Sequence, residues 1–217
     1  MSARRTGVYG GTFDPIHLGH MEIARAVVER FRLDELLLVP AFKPPHKQAR
    51  AVSQPFHRFA LSAIASMDDP RIRVSTIELE MPERPYSFQT VERLRDSGCR
   101  DAKLYFVIGA DSFAEIMTWR EPERLLSNVD VIVAARPGIE VETSHLPEKF
   151  RSKIRNLERQ SNVFDEEDRL IYLTSYVERD ISSREIRRRV REGISIRDAV
   201  PERVADYIEK YGLYRQE

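Results

Sequence analysis

The sequence predicts an α/β fold: a Rossmann-like, open, mostly parallel sheet with helices on both faces and a helical C-terminal extension. Three observations carry this. Short, continuous apolar runs alternate with stretches of helical periodicity. The runs do not alternate apolar with polar, as strands buried on both faces do not. Several end directly in glycine or proline. In order, Thr6–Tyr9 reads as a strand closed by Gly10-Gly11, and Leu18–Phe31 as a helix carrying Ile23, Ala26, Val27 and Val28 on one face. Leu36–Val39 is a strand closed by Pro40, Ala41–Gln54 a long polar loop, and Phe56–Met67 an amphipathic helix. Ile72–Val74 and Thr76–Leu79 read as short strand pieces, and Phe88–Arg95 as a helix with a turn at Gly98-Cys99. Leu104–Ile108 is a strand stopped by Gly109, followed by a helix near Ser112–Met117; Val129–Ala134 is a strand stopped by Pro137-Gly138. The charged stretch Ser144–Asp168 reads as a helix plus a surface loop. No repeat or low-complexity linker divides the chain, so residues 1–217 are expected to form one domain.

In open α/β sheets, ligands bind outside the carboxyl ends of the strands, near the switch in strand order. The loops beginning at Gly10, Ala41 and Gly109 are therefore the candidate site loops.

Bulk composition narrows the function classes. Acidic and basic residues balance at 35 each, which argues against a dedicated nucleic-acid or membrane-surface binder. The single cysteine, Cys99, cannot form a disulfide within the chain or a cysteine metal cluster, and it lacks a local nucleophile signature. Residues 1–9 have no apolar core of a secretory signal, and no apolar run approaches the ~20 residues that span a bilayer. A cytoplasmic location is expected.

The stretch Gly10-Gly11-Thr12-Phe13-Asp14-Pro15-Ile16-His17-Leu18-Gly19-His20 is the most informative. Two glycines after a strand permit positive φ and close approach of a ligand. The free N–H groups and positive dipole end of the following helix suit phosphate. His17 and His20 share one face of its first turn and can donate to a polyphosphate. A metal pair is the competing reading, but no third ligand is evident nearby. G-x-x-x-x-G-K-[ST] is absent, and so is G-x-G-x-x-G at this strand, which excludes a P-loop and a simple dinucleotide-binding domain.

A second signal is Ile181-Ser182-Ser183-Arg184-Glu185-Ile186-Arg187. Ser182 and Glu185 have capping-box spacing, so a helix should start there and end at Gly193. Arg187 lies about one turn in, where a guanidinium can grip phosphate oxygens. Taken alone, the segment also fits a capped surface helix with solvated arginines, or an RNA-binding helix.

Together these stretches resemble the nucleotidyltransferase superfamily. The string from Gly10 to His20 is similar to that of bacterial nicotinate-nucleotide adenylyltransferases and, less closely, of pantetheine-phosphate adenylyltransferases. The resemblance implies that Gly10, Gly11, Thr12, Phe13, His17, His20, Gly109, Asp111, Ser182, Ser183 and Arg187 bind ATP, with His17, His20 and Arg187 catalytic. Ser182-Ser183-Arg184 stands where the family has Ser-Ser-Thr, so one hydroxyl is replaced by a cation.

For the acceptor, Pro44-Pro45-His46-Lys47 resembles the family loop that reaches toward substrate phosphate. Ser87 stands where a family hydroxyl recognises the pyridine carboxylate, Trp119 where an indole stacks on the nicotinate ring, and Arg136, in Arg136-Pro137-Gly138, near the carboxylate. Unaided, the same residues read as an exposed basic loop, a semi-buried tryptophan and a surface arginine.

The implied reaction transfers AMP from ATP to nicotinate mononucleotide, giving nicotinate adenine dinucleotide and pyrophosphate. Mg²⁺ is carried by ATP rather than by a protein metal site. Nicotinamide mononucleotide, phosphopantetheine or another phosphate monoester are alternative acceptors, and a non-catalytic nucleotide sensor is the alternative from another class. Neither nucleic acid nor a membrane is an expected partner, and a homo-oligomer is compatible with the sequence.

Overall fold

The computed structural model describes residues 3–42, 52–81, 83, 85–135, 140–157, 169–175 and 181–215. Seven strands form one sheet: β1 (Arg5–Gly11), β2 (Glu35–Pro40), β3 (Ile72–Val74), β4 (Lys103–Gly109), β5 (Asp130–Ala135), β6 (Ile154–Asn156) and β7 (Ile171–Ser175). Their order is β3-β2-β1-β4-β5-β7-β6, and all six pairings are parallel. The chain leaves β1 toward β2 and β3, then returns to β4 on the other side of β1. The strand order therefore switches between β1 and β4, where a parallel sheet opens a crevice at its carboxyl end.

Eight α-helices lie among the described residues: α1 (Leu18–Arg30), α2 (Pro55–Ser66), α3 (Ser87–Leu94), α4 (Ala110–Ala114), α5 (Pro122–Leu126), α6 (Glu148–Arg151), α7 (Ser183–Arg191) and α8 (Glu202–Lys210). None is long and apolar enough to cross a membrane.

Alternation along the strands builds two cores. Tyr9, Tyr105, Val107, Ile132 and Tyr172 face a layer formed by α1, α2, α7 and α8, through Val27, Leu61, Ile186 and Val204. Their neighbours Val8, Leu104, Phe106, Val131 and Ile171 face the opposite layer, with Val91 of α3, Phe113 of α4 and Leu126 of α5. Each large apolar side chain fully buried this way contributes about 1.5–3 kcal/mol. At the amino end of β5, Asp130 is buried, accepts from the Leu170 N–H at 2.8 Å and pairs with Lys103 at 3.1 Å. It joins β4, β5 and the start of β7, and burial pushes its carboxyl group above the ordinary range.

Most expected elements are present, with ends shifted by a residue or two. Thr76–Leu79 is not a strand. The Thr76 carbonyl accepts from the Leu79 and Glu80 N–H groups, which closes a turn. The strands β6 and β7 are additions: β6 lies where a surface loop was expected, and the two continue the sheet past β5 in the order β5-β7-β6. The Ser144–Asp168 stretch contains α6 and β6, with residues 158–168 outside the described residues. The expected turn after α3 is made at Gly98, whose φ of 121° is open to glycine, and α7 gives way to Gly193 at φ 69°.

Candidate active site

The carboxyl end of the sheet is built around the loop from Thr12 to His17. Gly10 and Gly11 are the last residues of β1 and do not adopt positive φ; the left-handed residue is Phe13, at φ 48°. Gly11 is needed for close approach instead. A Cβ there would lie 2.7 Å from two atoms of the Phe13 ring. That ring is buried and meets Tyr9 and His20 edge-on, with centroids 5.6 and 5.2 Å away. Phe13 thus supports His20 with its side chain and can offer a nucleotide only its backbone. Gly11→Ala should destabilise the fold by about 1–3 kcal/mol through displacement of this ring. Thermal unfolding measures the loss, and an unchanged melting temperature would refute the contact.

His17 is the N-cap of α1 and His20 stands three residues on, so their rings stack with centroids 3.7 Å apart. The His17 backbone N–H donates to His20 Nδ1 at 3.3 Å. A neutral imidazole that accepts at Nδ1 carries its proton on Nε2, which makes Nε2 the donor. His17 is 7% exposed, and burial lowers its pKa to about 4, so it is neutral at pH 7. Its side chain lies toward the His20 backbone N–H in a capping-box arrangement, short of a full hydrogen bond at the buried Nδ1.

The second motif is brought against this loop from the far end of the chain. Ser182 is the N-cap of α7 and accepts from the Glu185 N–H at 3.2 Å. The expected return bond of a capping box is replaced, because the Glu185 carboxylate pairs with Arg188 one turn on. Ser183 donates its hydroxyl to the Pro15 carbonyl at 3.0 Å, and Arg187 Nη1 donates to the Asp14 carbonyl at 2.6 Å. The remaining donors of Arg187 make no hydrogen bond to a described residue, so a guanidinium held at one end keeps N–H groups for an anion. Arg184 is exposed at the first turn of α7 and has no ion pair among the described residues.

Gly109 is the N-cap of α4, with φ −72°, and Asp111 is exposed in the first turn of that helix. The register pairs Gly109 with Ala134 and Tyr9 with Val107, which brings the ends of β1, β4 and β5 to one edge. Ser87 opens α3 behind its N-cap, Tyr86, whose N–H donates to Gln89 Oε1 at 2.9 Å. Trp119 is half-buried and meets Phe106 edge-on at 6.4 Å. The acceptor residues His46, Lys47 and Arg136 lie outside the described residues. Among the described residues, no group of three His, Cys, Asp or Glu side chains is arranged to hold a metal ion.

Sequence reasoning assigned no role to three residues that hold this site together. Arg58 of α2 is fully buried. Its guanidinium donates to the carbonyls of Thr12 (2.9 Å), Ser53 (3.0 Å) and Phe42 (3.2 Å). Asp14 is also buried; its Oδ1 accepts from the Tyr214 hydroxyl at 2.9 Å and its Oδ2 from the Ser53 N–H at 3.3 Å. Burial works against the Arg58 charge and the Asp14 carboxylate supports it.

A family model described as cytidylyltransferase-like matches residues 8–189 of this chain. A relative from Thermoanaerobacter sp. (strain X514) is 39% identical over 98% of this chain and 95% of its own length. One from Roseiflexus sp. (strain RS-1) is 38% identical over 99% of this chain and all of its own. Both bear the name probable nicotinate-nucleotide adenylyltransferase. The chain belongs to the nicotinate-nucleotide adenylyltransferase family. Its fold agrees with that of the Plasmodium falciparum nicotinic acid mononucleotide adenylyltransferase complexed with NaAD. The TM-score is 0.74 with 97% of each chain covered, at 21% sequence identity. Within the family's fold, His17, His20, Ser183 and Arg187 meet at one loop, whereas Trp119 and Ser87 are placed by the opposite layer of helices.

Proposed function

We propose that the protein transfers the AMP moiety of Mg-ATP to nicotinate mononucleotide, releasing pyrophosphate and nicotinate adenine dinucleotide. The observation that carries this is the docking of Ser183 and Arg187 onto Pro15 and Asp14, which sets the N-terminus of α7 beside the His17–His20 loop. Two helix N-termini, two imidazoles and a guanidinium then converge, a set suited to a polyphosphate.

In the reaction, a 5′-phosphate oxygen of the acceptor attacks the α-phosphorus of ATP. A new P–O bond forms while the bond to the β-phosphate bridge breaks, and pyrophosphate leaves with the electron pair. The attacking group is already an anion, so no general base is required. Catalysis is positioning together with neutralisation of charge on the α-phosphate and the leaving group. His20, donating from Nε2, and His17 serve the first; Arg187 serves the second. Gly10, Gly11 and Thr12 border the nucleotide, Asp111 accepts from a ribose, and Ser182 orients α7. Mg²⁺ enters with ATP, since substrate phosphates and water supply most of its ligands. We assign acceptor recognition to Ser87, Trp119, His46, Lys47 and Arg136, and place the reaction in the cytoplasm with small-molecule substrates alone.

The test is product identity. Mg-ATP and nicotinate mononucleotide should yield a species with the mass of nicotinate adenine dinucleotide, and hydrolysis to AMP alone would refute the transfer. Trp119→Ala should raise KM for nicotinate mononucleotide about tenfold, as loss of an aromatic stack does. KM for ATP should change less than about twofold, under ~0.4 kcal/mol, because Trp119 packs on Phe106 in the layer opposite α1 and α7. An equal rise in both would remove Trp119 from the acceptor side.

A further inference from the structure

The buried Asp14 carboxylate lies beside cations, yet among the described residues its hydrogen bonds come from neutral donors. Oδ1 accepts from the Tyr214 hydroxyl at 2.9 Å and Oδ2 from the Ser53 N–H at 3.3 Å. The Asp14 charge acts on Arg58 through space, while the Arg58 donors go to three backbone carbonyls. Arg187 Nη1 comes within 3.8 Å of Oδ2, but donates to the Asp14 backbone carbonyl at 2.6 Å. A carboxylate and a guanidinium this close commonly join in a two-pronged pair. Here the pair stays long and one-sided, and the other donors of Arg187 make no hydrogen bond to a described residue.

Tyr214 is delivered to Asp14 by the turn that ends α8. Gly212 is left-handed at φ 61°, its N–H donates to the Glu209 carbonyl at 3.2 Å, and the Leu213 N–H donates to that of Ile208 at 3.0 Å. This is a Schellman turn. It sends Leu213 onto the core and Tyr214 to a partner 200 residues away in sequence. Tyr214 itself stands at φ 66°, left-handed backbone that a tyrosine rarely adopts. Strained residues of this kind persist where their surroundings over-determine them, and they cluster at functional sites. Burial, then the Asp14 charge, raise the Tyr214 hydroxyl far above its ordinary value, so it stays a donor across the working pH range.

We propose that Tyr214 is a positioning residue that holds the Asp14 carboxylate off Arg187, so that the guanidinium keeps N–H groups for the pyrophosphate end of the nucleotide. The inference rests on that part of the transfer reading which gives Arg187 to the leaving group. A tyrosine hydroxyl satisfies one carboxylate oxygen without supplying charge. Without it, that oxygen is left buried and unpaired, a costly state. Arg58 has spent its donors on carbonyls, whereas Arg187 has donors left and is already near. The carboxylate then closes on Arg187, and donors meant for phosphate are lost to it.

The experiment titrates inorganic pyrophosphate with Mg²⁺ onto the protein by calorimetry. It introduces Tyr214→Phe into the wild type, into Arg187→Ala and into Asp14→Asn. The change removes one hydroxyl from a partly exposed residue, and Tyr214→Leu, which also removes it, is the second variant if the first does not fold. In the wild type, Tyr214→Phe should weaken pyrophosphate binding about tenfold, within the range of coupling among residues of one network. In Arg187→Ala there is no guanidinium to capture, and in Asp14→Asn no charge to capture it. There the same change should alter affinity less than about twofold. A merely structural role would lower the melting temperature and weaken binding by the same factor in all three backgrounds. That equal weakening, no weakening in the wild type, or no pyrophosphate binding by the wild type would each overturn the proposal. If the affinities behave as expected but the wild type makes no nicotinate adenine dinucleotide, the transfer reading fails and the control of Arg187 by Tyr214 stands.

Discussion

Replacing His20 by alanine should lower turnover by about 100- to 1,000-fold, the usual loss when one donor to a developing charge is removed. Mg-ATP affinity should change far less, within about threefold, because in the proposed site the ground-state contacts to the triphosphate are shared with α7 and the loop backbone. The His20 imidazole is held on three sides. It stacks on His17, meets Phe13 edge-on, and takes the His17 N–H at Nδ1. Those contacts fix both its orientation and its tautomer, so that Nε2–H is the group presented. A His20→Asn variant separates chemistry from loop support, because an amide oxygen at this position can still accept from the His17 N–H. It should melt closer to the wild type than His20→Ala does and still lose turnover. Equal losses in turnover and ATP affinity would place His20 in uniform binding rather than in the transition state.

The second large effect concerns acid. His17 is buried and its pKa lies near 4, below the ordinary 6.5. Between those values the unfolded chain binds the proton and the folded protein does not. Its contribution to stability is therefore complete above pH 6.5 and is lost as pH falls toward 4, amounting to ~3 kcal/mol over the full window. Urea unfolding at pH 7.5 and pH 5.0 should show about 2 kcal/mol more loss in the wild-type protein than in His17→Asn. Identical pH slopes for the two would show that His17 is protonated as readily in the folded protein as in the unfolded chain.

The parts of this site that were legible in the sequence are the local ones. The glycines, the histidine pair and the start of α7 are each set within a few residues, so spacing alone places them on one strand end or one helical turn. Arg58 was legible in principle. It precedes Leu61, Ser62 and Ala65 at helical spacing and therefore lies on the buried face of α2, where an unpaired cation is costly. What it holds was not legible, because Thr12, Phe42 and Ser53 are joined only by folding. The same is true of Tyr214 and Asp14.

Gly10-Gly11 meets a different limit. Glycine admits both positive φ and close packing, and only the Phe13 ring beside Gly11 decides between them. In the sheet, Leu170–Leu173 is apolar but short and enclosed by polar residues, so periodicity could not separate β7 from a stretch of helix. Thr76–Leu79 has β-branched residues in the pattern of a strand, and was overridden by the turn that Thr76 closes.

The most direct test of the central claim is pyrophosphate release from Mg-ATP, with nicotinate mononucleotide, nicotinamide mononucleotide and phosphopantetheine supplied separately. Release should occur chiefly with nicotinate mononucleotide, and fall at least about 100-fold in His20→Ala. Folded protein that binds ATP but releases no pyrophosphate with any of the three would contradict the account.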